Sequence, residues 1–250
     1  MPESRPGDTG RLGRPFFSLA ARPARADLTH LENLIEMKRL LIGAVLGVVG
    51  MSTAHADYLG LLTGRTANPV DMPKISIDGG ILTEGDIQNI GVRANYRVDD
   101  TLTAFFGIGL AEVGVADGIA FSGGAYKYLP EQRIIPSLDM ALKATLGYAP
   151  LEGNSNFGSF SVDVDTLSLS AEALVSGKEP IAANGLNWYA HAGLAVLRVD
   201  ASAFGASADD TNLEPVFGGG IVLPLGPGEL FAGAEFLDEF FLGVGYRYGL

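Results

Sequence analysis

Every second residue of the last stretch, 240–250, is apolar. Leu242, Val244, Tyr246, Tyr248 and Leu250 share one parity; Gly243, Gly245, Arg247 and Gly249 share the other. A period of two belongs to a strand with two unlike faces. The pattern recurs upstream. Ile75, Ile77, Gly79 and Ile81 alternate with Ser76, Asp78 and Gly80, and Ile90, Val92, Ala94, Tyr96 and Val98 with Gly91, Arg93, Asn95 and Arg97. After an Asp99-Asp100 turn, Leu102, Ala104, Phe106, Ile108 and Leu110 continue it, and 119–128 forms a weaker strand. Leu138, Met140, Leu142, Ala144, Leu146 and Tyr148 oppose Ser137, Asp139, Ala141, Lys143, Thr145 and Gly147.

Within 160–176 the apolar parity changes. Val162 and Val164 lie on one row and Leu167, Leu169, Ala171 and Ala173 on the other, which predicts a β-bulge at Asp165-Thr166 near a rim. Strands follow over 186–201, 212–223 and 230–236, with turns at 178–185 and 224–228 and a loop over 204–210. The sum is about ten antiparallel segments of roughly ten residues joined by short turns, the spacing of a transmembrane β-barrel. Eight strands is the alternative count. A helical period would place Asp139 and Lys143 among apolar neighbours, whereas a period of two separates every charge in that segment.

A soluble sandwich also alternates, so the position of the charges matters. They stay off the apolar row: Asp78, Arg93, Arg97, Asp139, Lys143, Glu172, Glu214, Glu235 and Arg247 all fall on the other one. Tyr96, Tyr128, Tyr148, Tyr246 and Tyr248 stand at strand ends, as in an aromatic girdle at a membrane interface. In a barrel the charged row lines a narrow lumen, where charges have to pair. Arg247 meets Asp78 if the last strand closes on the first. The expectation is therefore an all-β, up-and-down barrel with a salt-bridged, plugged lumen; a narrow pore is the lesser reading. A periplasmic β-sandwich or lipocalin-like binding protein is the soluble alternative.

Composition agrees. The chain is 47% hydrophobic and 18% charged, with 34 Gly and no Cys, so disulfides, thiol nucleophiles and Cys-ligated metals are excluded. It also lacks an uncharged apolar run long enough for a spanning helix. Met37-Lys38-Arg39, an apolar run over 40–51 and Ala54-His55-Ala56 have the order of a signal peptide with its cleavage site after Ala56. Residues 1–36 read as an upstream extension ahead of a start at Met37, or as a long leading region of the signal. Residues 57–73 form an irregular lead and 74–250 the barrel. Residues 1–56 hold seven of the 17 basic and five of the 29 acidic residues, which leaves a net charge of −14 and argues against nucleic acid as a partner.

Over 74–250 the chain resembles bacterial outer-membrane β-barrel proteins, in particular small barrels of the OmpA-like and opacity type. Tyr246, Tyr248 and Leu250 match the C-terminal assembly signal of that class, with Leu in place of the usual Phe, and the Asp99-Asp100 turn is similar to a periplasmic turn of such barrels. The resemblance implies export to the outer membrane of a Gram-negative bacterium, outer-membrane lipid as surroundings, and the barrel assembly machinery and periplasmic chaperones as partners. It also implies a monomer.

Catalytic chemistry has little support in the sequence. Enzymes of this class rely on a histidine, and His191 is the single one after residue 56. It falls on the polar row with no serine beside it, which fits a lumen His bonded to a carboxylate. A lipid-modifying enzyme using His191 is the alternative. One His and scattered acids do not make a metal site. Asp163 and Asp165 read as solvated acids rather than Ca²⁺ ligands, and Gly218-Gly219-Gly220 as an aid to close packing rather than a phosphate loop. No catalytic residue, cofactor or metal is expected. The functional expectation is a non-enzymatic barrel with a structural, envelope-interaction or small-solute role.

Overall fold

A strand with one apolar and one polar face leaves its edge open unless both neighbours pair with it. Here both always do. The computed structural model describes residues 61–69, 72–84, 87–113, 116–131, 134–154, 161–203, 206–237 and 240–250, so the proposed leader with its Ala54 and Ala56 lies outside them. Ten strands follow in order: β1 (Ile75–Glu84), β2 (Ile87–Arg97), β3 (Leu102–Val113), β4 (Ala116–Tyr128), β5 (Leu138–Asn154), β6 (Ser161–Gly177), β7 (Asn187–Ala203), β8 (Ala206–Leu225), β9 (Gly228–Leu237) and β10 (Phe240–Gly249). Each is antiparallel to the next, and β10 pairs with β1 to close the barrel. The closing register sets Asp78 opposite Arg247, as the alternation anticipated.

The Asp99-Asp100 turn is a tight one. Asp99 Oδ1 accepts from the Thr101 hydroxyl and N–H, both at 2.7 Å, and from Leu102 N–H at 2.8 Å. The Thr101 hydroxyl and then these N–H donors hold the Asp99 carboxyl below its ordinary range. Pairing of β4 with β5 lapses opposite Pro150, which has no N–H to donate.

Strand length is uneven. β1, β9 and β10 have 10 residues each, whereas β5, β6 and β7 have 17 and β8 has 20. At about 3.3 Å per residue the long strands rise roughly 20 Å past the short ones. The two parts of a long strand are built differently. In the lower part the large apolar side chains point outward and are exposed: Leu142, Leu146 and Tyr148 on β5, Leu167 and Leu169 on β6, Leu194 and Val196 on β7. In the upper part the apolar residues point inward. Leu151, Val164, Leu197, Val199 and Ala201 are buried, while Glu152, Asp163, Asp165 and Arg198 face out.

This exchange of faces corrects two expectations. The β5–β6 register runs without interruption from Leu138↔Gly177 to Asn154↔Ser161, so there is no bulge at Asp165-Thr166. The strand keeps its parity, and the apolar residues change sides. Nor is 204–210 a loop from end to end: β8 begins at Ala206 and pairs Ser207, Ala208, Asp209 and Asp210 with β7. β4 starts at Ala116, ahead of the strand expected over 119–128.

The negative charge concentrates on the outer face of the tall part. Glu112 lies opposite Asp117, Asp117 opposite Glu152, and Glu152 opposite Asp163; further along, Asp165 faces Asp200 and Asp200 faces Asp209. Like charges directly opposed destabilise a sheet. They are tolerable where water reaches them, and all but half-buried Asp200 are exposed. Asp163 and Asp165 are thus solvent-facing acids, Asp165 accepting from Tyr148 Oη at 2.9 Å. The aromatic set also needs one correction. Tyr96, Tyr148 and Tyr248 face outward and are exposed, and Tyr246 donates to the Leu225 carbonyl at 2.8 Å. Tyr128 belongs to the inward row instead and donates to Asp139 at 2.8 Å.

Closure can be tested directly, because the chain has no cysteine background. Ile77 and Tyr248 are directly opposed across the seam. An Ile77→Cys/Tyr248→Cys variant, oxidised after folding, is expected to form one intramolecular disulfide, seen as a mobility shift on non-reducing gels. A register slipped by one residue would put the two thiols on opposite faces and give none.

Candidate functional site

The inward rows of the lower barrel assemble two groups of charges. At the closing seam Asp78 on β1 stands between Arg93, its partner on β2, and Arg247, its partner on β10. Arg93 Nε and Nη2 reach Asp78 Oδ2 at 2.9 and 2.7 Å. Arg247 Nε reaches Oδ1 at 2.8 Å and Nη2 reaches Oδ2 at 3.3 Å, while its Nη1 turns to Glu229 at 3.0 Å. The carboxylate is fully buried and answers two guanidiniums.

Across the lumen Lys143 on β5 is opposite Glu172 on β6 and donates to Oε1 at 3.0 Å. His191 on β7 lies between two carboxylates, with Nδ1 2.6 Å from Glu172 Oε2 and Nε2 3.2 Å from Glu235 Oε1. Each ring nitrogen thus faces one carboxylate. Glu235 is two strands away from His191, and Gly218 on β8 separates them in register. A Cβ on Gly218 would sit 2.6 Å from His191 Nε2 and 2.8 Å from Glu235 Cγ. The absent side chain is what lets the ion pair cross a strand. This gives the close-packing role of the glycine run a specific cause.

Both groups converge on a segment that lacks any strand pattern. Residues 61–69 run inside the barrel, with Leu62, Thr63, Arg65 and Ala67 buried. Thr63 N–H donates to Glu235 at 2.7 Å, its carbonyl accepts from Arg93 at 3.1 Å, and its hydroxyl accepts from Lys143 at 3.3 Å. The Gly64 carbonyl accepts from Arg247 at 3.0 Å, and Ala67 N–H donates to Ser176 Oγ at 2.9 Å. Gly64 has a φ of 54° and packs against the Phe231 ring, two demands that glycine alone meets without strain. Leu61 and Leu62 lie over Gly80 and Gly243. Residues 61–69 of the irregular lead are therefore a plug.

Of the nine residues expected in the lumen network, Asp78, Arg93, Lys143, Glu172, Glu235 and Arg247 form its two halves. Asp139 pairs with Tyr128 nearer one end. Arg97 is at the rim, donating to the Pro69 carbonyl at 3.3 Å. Glu214 is on the inward row but half-exposed, and no ion pair among the described residues includes it. Tyr246, Tyr248 and Leu250 are on the outward row.

Three features escaped the sequence reading. Glu229 as a partner of Arg247 had no distinguishing signal. A plugged lumen was expected, but nothing marked residues 61–69 as the segment that fills it. The inward aromatics Phe105, Tyr126, Tyr189 and Phe231 did carry a signal: each sits on the otherwise small or polar row, which calls for a cavity to fill. No cluster of three or more His, Asp or Glu side chains among the described residues has a metal-site arrangement.

No protein-family model matches the chain, and neither does any curated protein. Among solved structures it is similar to the translocator domain of the autotransporter NalP from Neisseria meningitidis, with 12% identity, a TM-score of 0.35, and 90% of this chain and 98% of that chain covered. It is also similar to Ail, the attachment invasion locus protein of Yersinia pestis, with 15% identity, a TM-score of 0.27, and coverage of 70% and 96%. Likeness of this size decides nothing about role, and the barrel is read from its own pairing.

The network separates buried from exposed ion pairs. Asp78→Asn strips the charge that two buried arginines share and is expected to cost about 3–5 kcal/mol. Arg198→Ala, which breaks the exposed pair with Asp200, is expected to leave stability unchanged. Urea midpoints in detergent micelles measure both.

Proposed function

We propose that this chain is a non-enzymatic outer-membrane β-barrel, inserted as a monomer, with a structural or envelope-interaction role and a lumen closed by its own residues 61–69. The observation that carries the reading is the exchange of faces on β5–β7. A belt of exposed isoleucine, leucine, valine and phenylalanine surrounds the lower barrel, with ionised side chains buried within it. In water that arrangement is inverted; in lipid it is the stable one, because the apolar belt needs no cover and every strand edge is paired. Above the belt the same strands carry acids outside and apolar groups inside, which suits water. The membrane boundary then falls near Tyr148 and Leu167.

The non-enzymatic reading is supported by the position of His191, whose side chain has no exposed surface and is enclosed by Glu172 and Glu235. A lipid substrate has no route to that imidazole. The occupied lumen likewise argues against a standing solute path. Export by the residue 37–56 leader and handling by periplasmic chaperones and the barrel assembly machinery belong to this reading, which involves no cofactor and no nucleic acid.

Cell fractionation is the deciding experiment. The processed protein is expected in the outer-membrane fraction, with a gel mobility that changes on boiling; recovery as a soluble periplasmic protein overturns the proposal. In refolding into lipid vesicles, Leu169→Arg within the belt should cost about 2–4 kcal/mol. Asp165→Arg, just above it on the same strand face, should cost far less, since its side chain is already in water.

A further inference from the structure

We infer that residues 61–69 are a gate rather than a fixed filling: they leave the lumen and return, and their departure opens a path for small inorganic ions. The inference rests on the membrane-barrel reading.

Three observations carry it. First, among the described residues the plug's hydrogen bonds to the wall gather at a few points, beside the apolar packing of Leu61, Leu62 and Ala67 in the core. Thr63 and Gly64 take four of its contacts with the wall, from Glu235, Arg93, Lys143 and Arg247; Ala67 takes one from Ser176, and the Pro69 carbonyl takes one from Arg97. None is covalent, and none is part of a β-ladder.

Second, the plug holds a buried cation that has no ion pair among the described residues. Arg65 is buried to 1% exposure and has no carboxylate partner among the described residues. Its guanidinium rests over the Tyr126 ring at 4.1 Å, its Nε reaches only the neighbouring Thr66 carbonyl at 3.5 Å, and its Nη1 has no hydrogen bond. Arg93 and Arg247, which hold the adjoining plug carbonyls, add like charge nearby. A buried cation left unpaired opposes the state that buries it. The anchors pull the plug in, and Arg65 pushes it out.

Third, the wall keeps its own ion pairs when the plug is gone. Asp78 retains Arg93 and Arg247, and Glu172 retains Lys143 and His191. The barrel thus stays closed around an empty lumen. A single extended chain occupies a cross-section of about 5 by 10 Å, from the strand and sheet spacings. That width admits small ions, and the mixed charges of the wall imply weak selectivity. Cleavage after Ala56, which the sequence marks, leaves a short lead before Leu61, so nothing bulky has to be drawn through.

The test uses the full processed chain in planar bilayers, with insertion checked by flotation and by heat-modifiable mobility. Wild type is expected to be mostly closed with brief openings. Thr63→Pro deletes the N–H given to Glu235 and should raise the open fraction about tenfold or more, the factor one lost charge-assisted hydrogen bond implies. Arg65→Met removes the opposing charge and should lower the open fraction below wild type, a direction that a merely structural role for Arg65 does not give. Ala67→Cys/Ser176→Cys, formed in the folded protein, should be shut when oxidised and recover openings on reduction; it leaves Thr63, Gly64 and Arg65 unchanged. Equal conductance with the disulfide oxidised or reduced overturns the gate, as does an inserted wild type or Thr63→Pro that never opens. Failure to insert at all overturns the membrane reading with it.

Discussion

A buried charge has to be answered, and Asp78 is where that requirement meets the closure of the barrel. Its two partners come from opposite directions along the chain, Arg93 from the next strand and Arg247 from the last. Neither pair exists unless β10 lies beside β1 in one particular register. A slip of one residue would turn Arg247 into the apolar belt and leave Asp78 with a single partner. The ion pairs contribute less as attraction than as a penalty on every other arrangement, which is the best-attested use of buried charge. Closure, lumen chemistry and the location of the plug all follow from that register.

One rule, apolar side chains away from water, produces two opposite patterns along the same strands. Below the Tyr148 level the outward row is apolar and the inside holds the charges; above it, on β5–β7, the outward row is charged and the inside is apolar, the pattern that the proposed lipid and water surroundings call for. The alternation of side chains continues unchanged through the boundary. The net negative charge of the chain finds its place here too: directly opposed carboxylates such as Glu152 and Asp163 can stand only where solvent screens them.

That rule also explains what could be read from the sequence. The strands, their faces, the ten-fold count and the Asp78–Arg247 pairing were legible because a wall strand repeats one environment for several residues. The bulge was misread because a change of hydrophobic parity was taken for a change of backbone, and the 204–210 loop because its small and acidic residues carry no apolar alternation, although β7 pairs with them. Tyr128 was misplaced because a terminal tyrosine suits either face, and its bond to Asp139 depends on which β5 residue lies alongside. The segment that fills the lumen was illegible for a deeper reason. A chain inside a barrel has neighbours on all sides and no ladder, so nothing imposes a period on it. Its partners are single side chains drawn from β2, β5, β6, β9 and β10, and that set exists only after folding.

The glycines become intelligible once the plug is in place. On the wall strands they were the small members of the inward row, with no evident task. Gly80 and Gly243 now make room for Leu61 and Leu62, and Gly218 clears the line from His191 to Glu235. A row of larger residues there would fill the lumen by itself and need no inserted chain. Bulk has been kept out of the wall and supplied by a segment joined to it through Thr63 and Gly64, the two residues where both charge groups meet. Filling a lumen with wall side chains would give one permanent state. Filling it with a tethered segment allows the second state inferred above, with the wall glycines leaving it room.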